Sequence, residues 1–204
     1  MHAAQPKSPL APELILASTS RYRRELLSRL RVPFTVIAPE VDETALPGEA
    51  PQALAIRLAL AKAHVVAHSK PDAFVIGSDQ VVDLEGMGVS KPGSHEAAVG
   101  QLMRMSGKQL VFHTAVALVA PGFAQTRHVP IRVQFRQLNA AVIERYLRLE
   151  QPYDCAGSAK SEGLGISLLE SVQSDDPTAL VGLPLIAVTD LLHAAGYDFW
   201  EHAQ

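Results

Sequence analysis

A predicted strand runs directly into a predicted helix near the start of the chain, and the turn between them restricts the possible folds most. The apolar run at 14–17 is followed by Ser18, Thr19 and Ser20, then by arginines at 21, 23 and 24 and an amphipathic segment at 25–30. Free N–H groups at a helix start attract anions, and the helix dipole disfavours cations there. The turn is therefore either a polyphosphate-binding site or a basic surface turn.

Helical and strand-like patterns alternate along the rest of the chain, which is typical of the α/β class with a mixed sheet and helices packed on it. We predict strands at 32–38, 74–82, 110–120 and 129–135, and helices at 51–69, 95–105, from Asn139 to Pro152, and from 185 to near Gly196. Loops are expected at 86–93 and 157–165. No repeat or linker interrupts the pattern, so we expect one domain over 14–204 preceded by a frayed extension at 1–13.

Composition excludes several classes of function. The net charge is −3, so the surface as a whole does not attract nucleic acid. Cys155 is the only cysteine, which excludes an intrachain disulfide and a cysteine-based zinc site. No apolar run approaches the roughly 20 residues that span a bilayer, and the first residues lack a signal-peptide core. We therefore expect a cytoplasmic protein without nucleic-acid or membrane partners.

Two charged residues lie within apolar patterns. The predicted second helix should bury a stripe made of Leu54, Leu58, Val65 and Val66. Lys62 projects between Leu58 and Val66, so it either extends to solvent or points into a cleft. Asp79 interrupts an apolar strand after Gly77 and Ser78. A buried carboxylate is costly unless it is paired or bound to metal. Asp79 is therefore a ligand of Mg²⁺, an acceptor of a proton from water, or a structural residue bonded to nearby N–H groups.

Further charges lie on two loops. Asp42 and Glu43 offer the hard oxygen ligands that suit Mg²⁺ or Mn²⁺, although a solvated acidic loop explains them equally well. Lys91 precedes Pro92, which restricts its backbone. Together with the basic turn, Lys62 and Asp79, these residues describe a site for a metal-bound polyphosphate. The site contains neither a P-loop nor a dinucleotide-binding glycine pattern.

The chain resembles the Maf family of nucleoside triphosphate pyrophosphatases over about 14–192. The matching segments are LASTSRYRRELL at 16–27, VDET at 41–44, RLALAKA at 57–63, GSDQVV at 77–82, SKP at 90–92, SGKQLVFHTAVAL at 106–118, CAGSAKSEGLGISL at 155–168 and LVGLPL at 180–185. The resemblance implies hydrolysis between the α- and β-phosphates of a nucleotide with the help of a divalent metal, Mg²⁺ or Mn²⁺. It also implies an elongated mixed sheet with flanking helices, two lobes around a central cleft, and a homodimer.

The resemblance carries the family's site to individual residues of this chain. Ser18 and Arg23 match the phosphate-binding turn. The catalytic set is Glu43, Lys62, Asp79 and Lys91, in which Asp79 matches the proposed general base and Glu43 and Asp79 are the candidate metal ligands. Two positions depart from the usual pattern, because Arg21 stands where proline is usual and Ser90 where glycine is usual. Neither departure removes a reacting group.

Specificity within the family is carried by three positions, which here are Tyr22, Gln80 and Glu162. They resemble the subgroup that hydrolyses 7-methyl-GTP, in which tryptophan is usual at the position of Tyr22. The methylated guanine is positively charged, so an aromatic face and a carboxylate suit it. Without the resemblance, Tyr22 would be read as a core residue and Glu162 as a solvated charge. The alternatives are a pyrophosphatase for dTTP or UTP and a non-catalytic nucleotide-binding regulator of cell division.

Overall fold

A computed structural model describes residues 12–203 of the chain. The extension predicted at 1–13 lies, apart from Pro12 and Glu13, outside the described residues. The strands are β1 Leu14–Ala17, β2 Thr35–Ile37, β3 Phe74–Leu84, β4 Met87–Val89, β5 Gln109–Ala120, β6 Phe123–Phe135 and β7 Leu169–Gln173. The α-helices are α1 Arg21–Ser28, α2 Pro51–Ser69, α3 His95–Met105, α4 Ala140–Glu150, α5 Leu185–Ala194 and α6 Phe199–His202, and short 3₁₀ turns occur at Ala156–Ser158, Leu164–Leu168 and Ala179–Val181.

The seven strands form one open mixed sheet, so the predicted α/β class is confirmed. Their order is β2-β1-β3-β5-β6-β7, with β4 added beside β3. The pairs β1–β2 and β1–β3 are parallel, and all other pairs are antiparallel. No helix among residues 12–203 is both long and apolar enough to cross a membrane.

Strand β3 has a gap along one edge. On that edge β1 pairs with residues 74–77 and β4 pairs with residues 82–84. On the other edge β5 pairs with residues 75–83 without interruption. Residues 78–81 therefore have no neighbouring strand on one side within the described part of the chain. We call this gap, with the segments around it, the cleft.

Two groups of buried side chains lie on either side of the cleft. In the first lobe, α2 covers one face of the sheet, where the core includes Ile15. Helices α1 and α5 cover the other face, where the core includes Leu27 and Leu191. In the second lobe, α3 and α4 pack around a core that includes Phe112 and Phe135. The long strands β3 and β5 contribute to the cores of both lobes.

Helix α2 packs on β3 through small residues. Its buried face includes Ala55, Ala59 and Ala63, whereas Val65, which was predicted to be buried, is 40% exposed, and Leu54 is half-buried. The predicted stripe is confirmed at Leu58 and Val66, which are buried, and wrong at Val65, because the prediction weighted side-chain size. A Cβ atom at Gly77 would lie 2.2 Å from the carbonyl oxygen of Ala59. The helix therefore approaches the strand more closely than large side chains allow.

Other element boundaries also differ from the prediction. The strand expected at 32–38 is limited to Thr35–Ile37, and the loop expected at 86–93 contains β4. β6 begins at Phe123 rather than Val129, because its register with β5 continues to the turn at Pro121 and Gly122. Helix α6 was not predicted. The main helices α2 and α3 have the predicted bounds.

Candidate functional site

The strand register brings two polar segments to the ends of the cleft. Ala17 at the end of β1 pairs with Gly77, so Ser18 follows at one end of the gap. Val89 of the antiparallel β4 pairs with Val82, so Ser90 and Lys91 continue back toward the gap from the other end. The predicted phosphate-binding turn and the predicted lysine loop therefore border the same stretch of β3, from opposite ends.

The turn after β1 is held by its own hydroxyl groups. Ser20 caps α1, because its side chain accepts a hydrogen bond from the backbone N–H of Arg23 at 3.4 Å. The buried Ser18 accepts from the backbone N–H of Ser20 at 3.1 Å. The Ser18 N–H donates to the carbonyl oxygen of Ile37 at 3.1 Å. The chain therefore leaves β1 in a fixed direction and presents the start of α1 at the cleft.

Only one of the three arginines in this turn is directed inward. Arg23 Nε donates to the carbonyl oxygen of Gly182 at 2.9 Å, and burial lowers the pKa of Arg23 although the negative charges of Asp79 and Glu43 oppose that change. Arg24 is exposed, and Arg21 is exposed with its guanidinium 4.7 Å from the centre of the Tyr22 ring. The cation of Arg23 is therefore the one that this turn contributes to the cleft.

Lys62 joins two carboxylates at the cleft. Its ammonium group lies 2.7 Å from Asp79 Oδ1 and 2.5 Å from Glu43 Oε1. Lys62 is only 5% exposed and Asp79 only 7%, whereas the Glu43 side chain is largely exposed. Of the two interpretations that the sequence allowed for Lys62, extension to solvent is therefore wrong. The close approach of α2 at Gly77 brings Lys62 within reach of the strand.

The loop that carries Glu43 is fastened to α2 by a second ion pair. Arg57 donates to both carboxylate oxygens of Glu49 at 2.6 and 2.7 Å and to the carbonyl oxygen of Thr44 at 3.0 Å. Partial burial would raise the pKa of Glu43, but the hydrogen bond from Lys62 and the charges of Lys62, Lys91 and Arg23 lower it overall. Glu43 therefore stays ionised in a field of three cations.

Lys91 is exposed and forms no ion pair with a residue in 12–203. Its segment is fixed by Gln101, which donates to the carbonyl oxygen of Ser90 at 2.9 Å and accepts from the hydroxyl of Ser158 at 2.6 Å. The sequence analysis missed Gln101. The available signal was a polar residue beside Ala98 and Leu102 on the apolar face of α3.

The three predicted specificity residues do not bond to one another within 12–203. The amide nitrogen of Gln80 contacts Thr114 and the 179–180 backbone. Tyr22 is half-buried and accepts from the thiol of Cys155 at 3.8 Å, and burial raises the pKa of Cys155 to about 11. Glu162 is exposed, and its negative charge further raises the pKa of Cys155. Tyr22 and Glu162 therefore lie near the same cysteine, at the side of the cleft formed by the second lobe.

The donor set at the cleft suits a metal that arrives with a phosphate ligand. No group of three or more histidine, cysteine, aspartate and glutamate side chains within residues 12–203 forms a metal cage. Glu43 and Asp79 supply two carboxylates around one ammonium group. Mg²⁺ usually binds through one or two carboxylates and takes its other ligands from substrate phosphates and water. The residues present therefore fit a divalent ion shared with a polyphosphate.

Comparison with known proteins gives a consistent family. A model of the Maf-like protein family matches residues 13–195. A 7-methyl-GTP pyrophosphatase from Polaromonas sp. is 61% identical over 95% of this chain and 90% of its own length. Proteins of the same name from Albidiferax ferrireducens and Bordetella pertussis are 60% and 55% identical, over 92% and 93% of this chain and 96% and 95% of their own lengths. The chain belongs to the Maf family.

Proposed function

We propose that this protein hydrolyses 7-methyl-GTP between the α- and β-phosphates, giving 7-methyl-GMP and pyrophosphate. The observation that carries the proposal is the buried Lys62 held between Asp79 and Glu43 at the cleft, with Arg23 close enough for its charge to act on both carboxylates. Removing such a cluster from water costs free energy that the attraction between its charges does not readily offset, so stability alone does not explain it. The name shared by the Polaromonas, Albidiferax and Bordetella relatives supports the same substrate.

The cluster provides separate groups for binding and for proton transfer. Arg23, Lys62 and Lys91 bind the triphosphate and stabilise the negative charge that develops on the leaving pyrophosphate. Ser18 and the N–H groups at the start of α1 bind one of its phosphates. Asp79 orients the attacking water and accepts its proton, because its position on a rigid strand at the cleft holds the carboxylate in one place. Glu43 and Asp79 would hold Mg²⁺ or Mn²⁺, which when bound polarises the phosphate oxygens.

The base is recognised beside the second lobe. In 7-methylguanine the base carries a positive charge, and an aromatic face attracts such a cation by about 0.5–2 kcal/mol. The Tyr22 ring already accepts the guanidinium of Arg21 in this way. Glu162 is exposed and forms no ion pair with a residue in 12–203, so its carboxylate can pair with the charged base. The homodimer, the single domain over 14–204 and the cytoplasmic location stay predictions.

A panel of nucleoside triphosphates tests the proposal. We expect pyrophosphate release with Mg²⁺ or Mn²⁺ to be fastest for 7-methyl-GTP, well above GTP, dTTP and UTP. A strong preference for dTTP or UTP would instead support the pyrimidine alternative. Tight nucleotide binding without pyrophosphate release would contradict an enzymatic role and support a regulator.

Asp79→Asn tests the role of the strand carboxylate. We expect turnover to fall at least about 10³-fold, because an amide cannot accept the proton of water, while the melting temperature shows an intact fold. Asp83→Asn is the matched control, since it makes the same change four residues along the same strand. An active, well-folded Asp79→Asn variant would remove Asp79 from the mechanism.

A further inference from the structure

A buried glutamine joins two loops of the second lobe. Gln101 lies beside Leu102 on the apolar face of α3 and is only 7% exposed. Its amide nitrogen donates to the carbonyl oxygen of Ser90 at 2.9 Å, and its amide oxygen accepts from the hydroxyl of Ser158 at 2.6 Å. A buried amide costs free energy unless it is hydrogen-bonded, and here both ends are. One side chain therefore connects the lysine loop to the turn that carries Ser158.

The donors and acceptors in this bridge have a fixed order. A carbonyl oxygen only accepts, so the nitrogen of Gln101 is the end that faces Ser90. The hydroxyl of Ser158 is fully buried and forms no other hydrogen bond within residues 12–203, so its hydrogen points to the amide oxygen. A side chain that lacks or reverses either function would leave a buried polar group unpaired.

The bond to Ser90 begins where strand pairing ends. Val89 is the last residue of β4 that pairs with β3, and its partner there is Val82. Lys91 follows two residues later and is exposed. The carbonyl oxygen of Ser90 is therefore held by Gln101 and not by a neighbouring strand, one residue before Lys91.

The turn that carries Ser158 is anchored at the same point of β3. A Cβ atom at Gly157 would lie 3.6 Å from the Val82 side chain, so the turn packs on that residue. Ser158 has a φ of 54°, in the left-handed region that non-glycine residues keep only where their surroundings hold them. Val82 comes directly after residues 78–81, which border the cleft. The bridge through Gln101 is therefore fixed relative to the strand at the cleft.

We propose that Gln101 and Ser158 are positioning residues that hold Lys91 in place to contact the triphosphate. This inference rests on the proposed function for the role of Lys91, and it goes beyond that function by assigning two residues that touch no substrate. The ammonium of Lys91 lies close enough to the cleft for its charge to lower the pKa of Glu43. Without the bridge the lysine loop is free to shift, and a displacement of about 1 Å can cost about 100-fold in rate.

A double-mutant cycle with Lys91 tests this role. We expect Gln101→Met to lower kcat for 7-methyl-GTP at least about tenfold, and Lys91→Met at least about 100-fold. In the double variant the ammonium is absent, so the change at Gln101 should lower kcat by less than about a further twofold. A residue that acts only through stability would instead lower kcat by the same factor in both backgrounds. Such additivity in folded variants would overturn the inference.

Ser158→Ala and a matched control complete the cycle. Ser158→Ala should lower kcat as Gln101→Met does and add little to it, whereas wild-type kcat in a folded Ser158→Ala variant would remove Ser158 from the role. Gln134→Met is the control, because the Gln134 amide also donates to backbone carbonyls, those of Gly107 and Phe135, outside both loops. We expect it to leave kcat unchanged.

Gln101→Glu tests the bridge without changing the shape of the side chain. Ionised, the carboxyl presents an acceptor to the carbonyl oxygen of Ser90, whereas the protonated acid donates to it as the amide does. Burial would raise the pKa of this carboxyl above its ordinary value. The kcat relative to wild type should therefore be highest at low pH and fall as pH rises, and a flat ratio would contradict the inference. If Gln101→Met fails to fold, the cycle is run with Gln101→Glu at the alkaline end of this profile.

The cycle separates this inference from the proposed function. If the panel identifies another triphosphate as the preferred substrate, the same four proteins are compared on that substrate, and the expected non-additivity is unchanged. If no triphosphate is hydrolysed, calorimetric binding of inorganic triphosphate replaces kcat. Gln101→Met should then weaken binding in the wild type but not in Lys91→Met. Additive losses contradict the inference in each case, and a wild type that binds no triphosphate would overturn both proposals.

Discussion

Burying the Lys62 ammonium costs more free energy of folding than burying an apolar side chain at the same position would. Removing an ammonium and a carboxylate from water costs several kcal/mol, and the attraction between them offsets this only when the geometry is good. Here one buried ammonium serves both the buried Asp79 and the more exposed Glu43. In the proposed site, this ammonium would offset the negative charge that the two carboxylates present to a triphosphate.

Lys62→Met tests this residue through pH. Without the ammonium, the hydrogen bond and the charge that lower the pKa of Glu43 are lost, so that pKa rises. We therefore expect the acidic limb of the kcat/KM profile to move to higher pH, and kcat to fall at least about 100-fold. Lys70→Met is the control, because Lys70 is an exposed lysine at the end of the same helix, paired with Glu13 at 3.6 Å. An acidic limb that stays in place would show that Lys62 does not set the ionisation of Glu43.

Individual residues differ in how far the sequence predicts them. The positions of Lys62 and Asp79 follow from helical and strand periodicity, because each interrupts an apolar pattern. Charge and periodicity do not separate Arg23 from Arg21 and Arg24, and only the family resemblance singles it out. Arg23 is directed inward by its hydrogen bond to the carbonyl oxygen of Gly182, 159 residues away. Asp42 and Glu43 also look equivalent, but Asp42 accepts from the N–H of Thr44 within its own loop at 2.9 Å.

At the scale of elements, the contact between α2 and β3 depends on Gly77. Gly77→Ala would place a Cβ atom 2.2 Å from the Ala59 carbonyl oxygen and 2.6 Å from the Ala63 nitrogen. We expect a loss of at least about 1–3 kcal/mol in the free energy of unfolding, measured in urea. We also expect lower kcat, because the displaced helix carries Lys62 away from Asp79.

Gly100→Ala is the matched control for Gly77→Ala. Gly100 lies within α3, and a Cβ atom there would meet nothing within 4 Å. Alanine at that position should stabilise the helix by about 0.5–1 kcal/mol without affecting kcat. Equal effects of the two substitutions would contradict close packing at Gly77.

The loop that carries Glu43 depends on the pair of Arg57 and Glu49. Hydrogen bonds from Arg57 lower the pKa of Glu49 to about 2, against an ordinary value of 4.5. A carboxyl with a lowered pKa in the folded state stabilises the protein above its unfolded pKa, and this contribution is lost as pH falls from about 4.5 to about 2. Glu49→Gln should therefore lower the melting temperature at pH 7, and its difference from wild type should shrink through that range. Glu40→Gln, at an exposed position in the same loop, should leave the melting temperature unchanged both at pH 7 and through that range.

Patterns of size and polarity predict elements well where packing is ordinary. α3 and α4 have caps at Ser94 and Asn139 and regular apolar faces, and the prediction placed both helices correctly. The buried face of α2 was misjudged at Leu54 and Val65, because the close approach to Gly77 favours alanine. Such an approach is a property of two elements together, so neither element shows it alone.

At the scale of the whole molecule, β3 and β5 connect the two lobes. Asp79 and Gln80 lie in β3 between the first-lobe residue Ile76 and the second-lobe residue Val82. The cleft is therefore formed by strands that both cores hold in place. This arrangement keeps the cations of Lys62 and Arg23, from the first lobe, at a fixed distance from the loops of the second lobe.

Shared strands predict that the two lobes unfold together. Phe135 is fully buried in the core of the second lobe, and Phe135→Ala should cost about 3–5 kcal/mol. Because β3 and β5 run through both cores, the opening free energy measured by amide hydrogen exchange in β1 of the first lobe should fall by the same amount. Val142→Ala, at an exposed position on α4, should leave β1 unchanged. If Phe135→Ala accelerated exchange in the second lobe alone, the lobes would be separate folding units. The two sides of the cleft could then move apart while both cores stay folded.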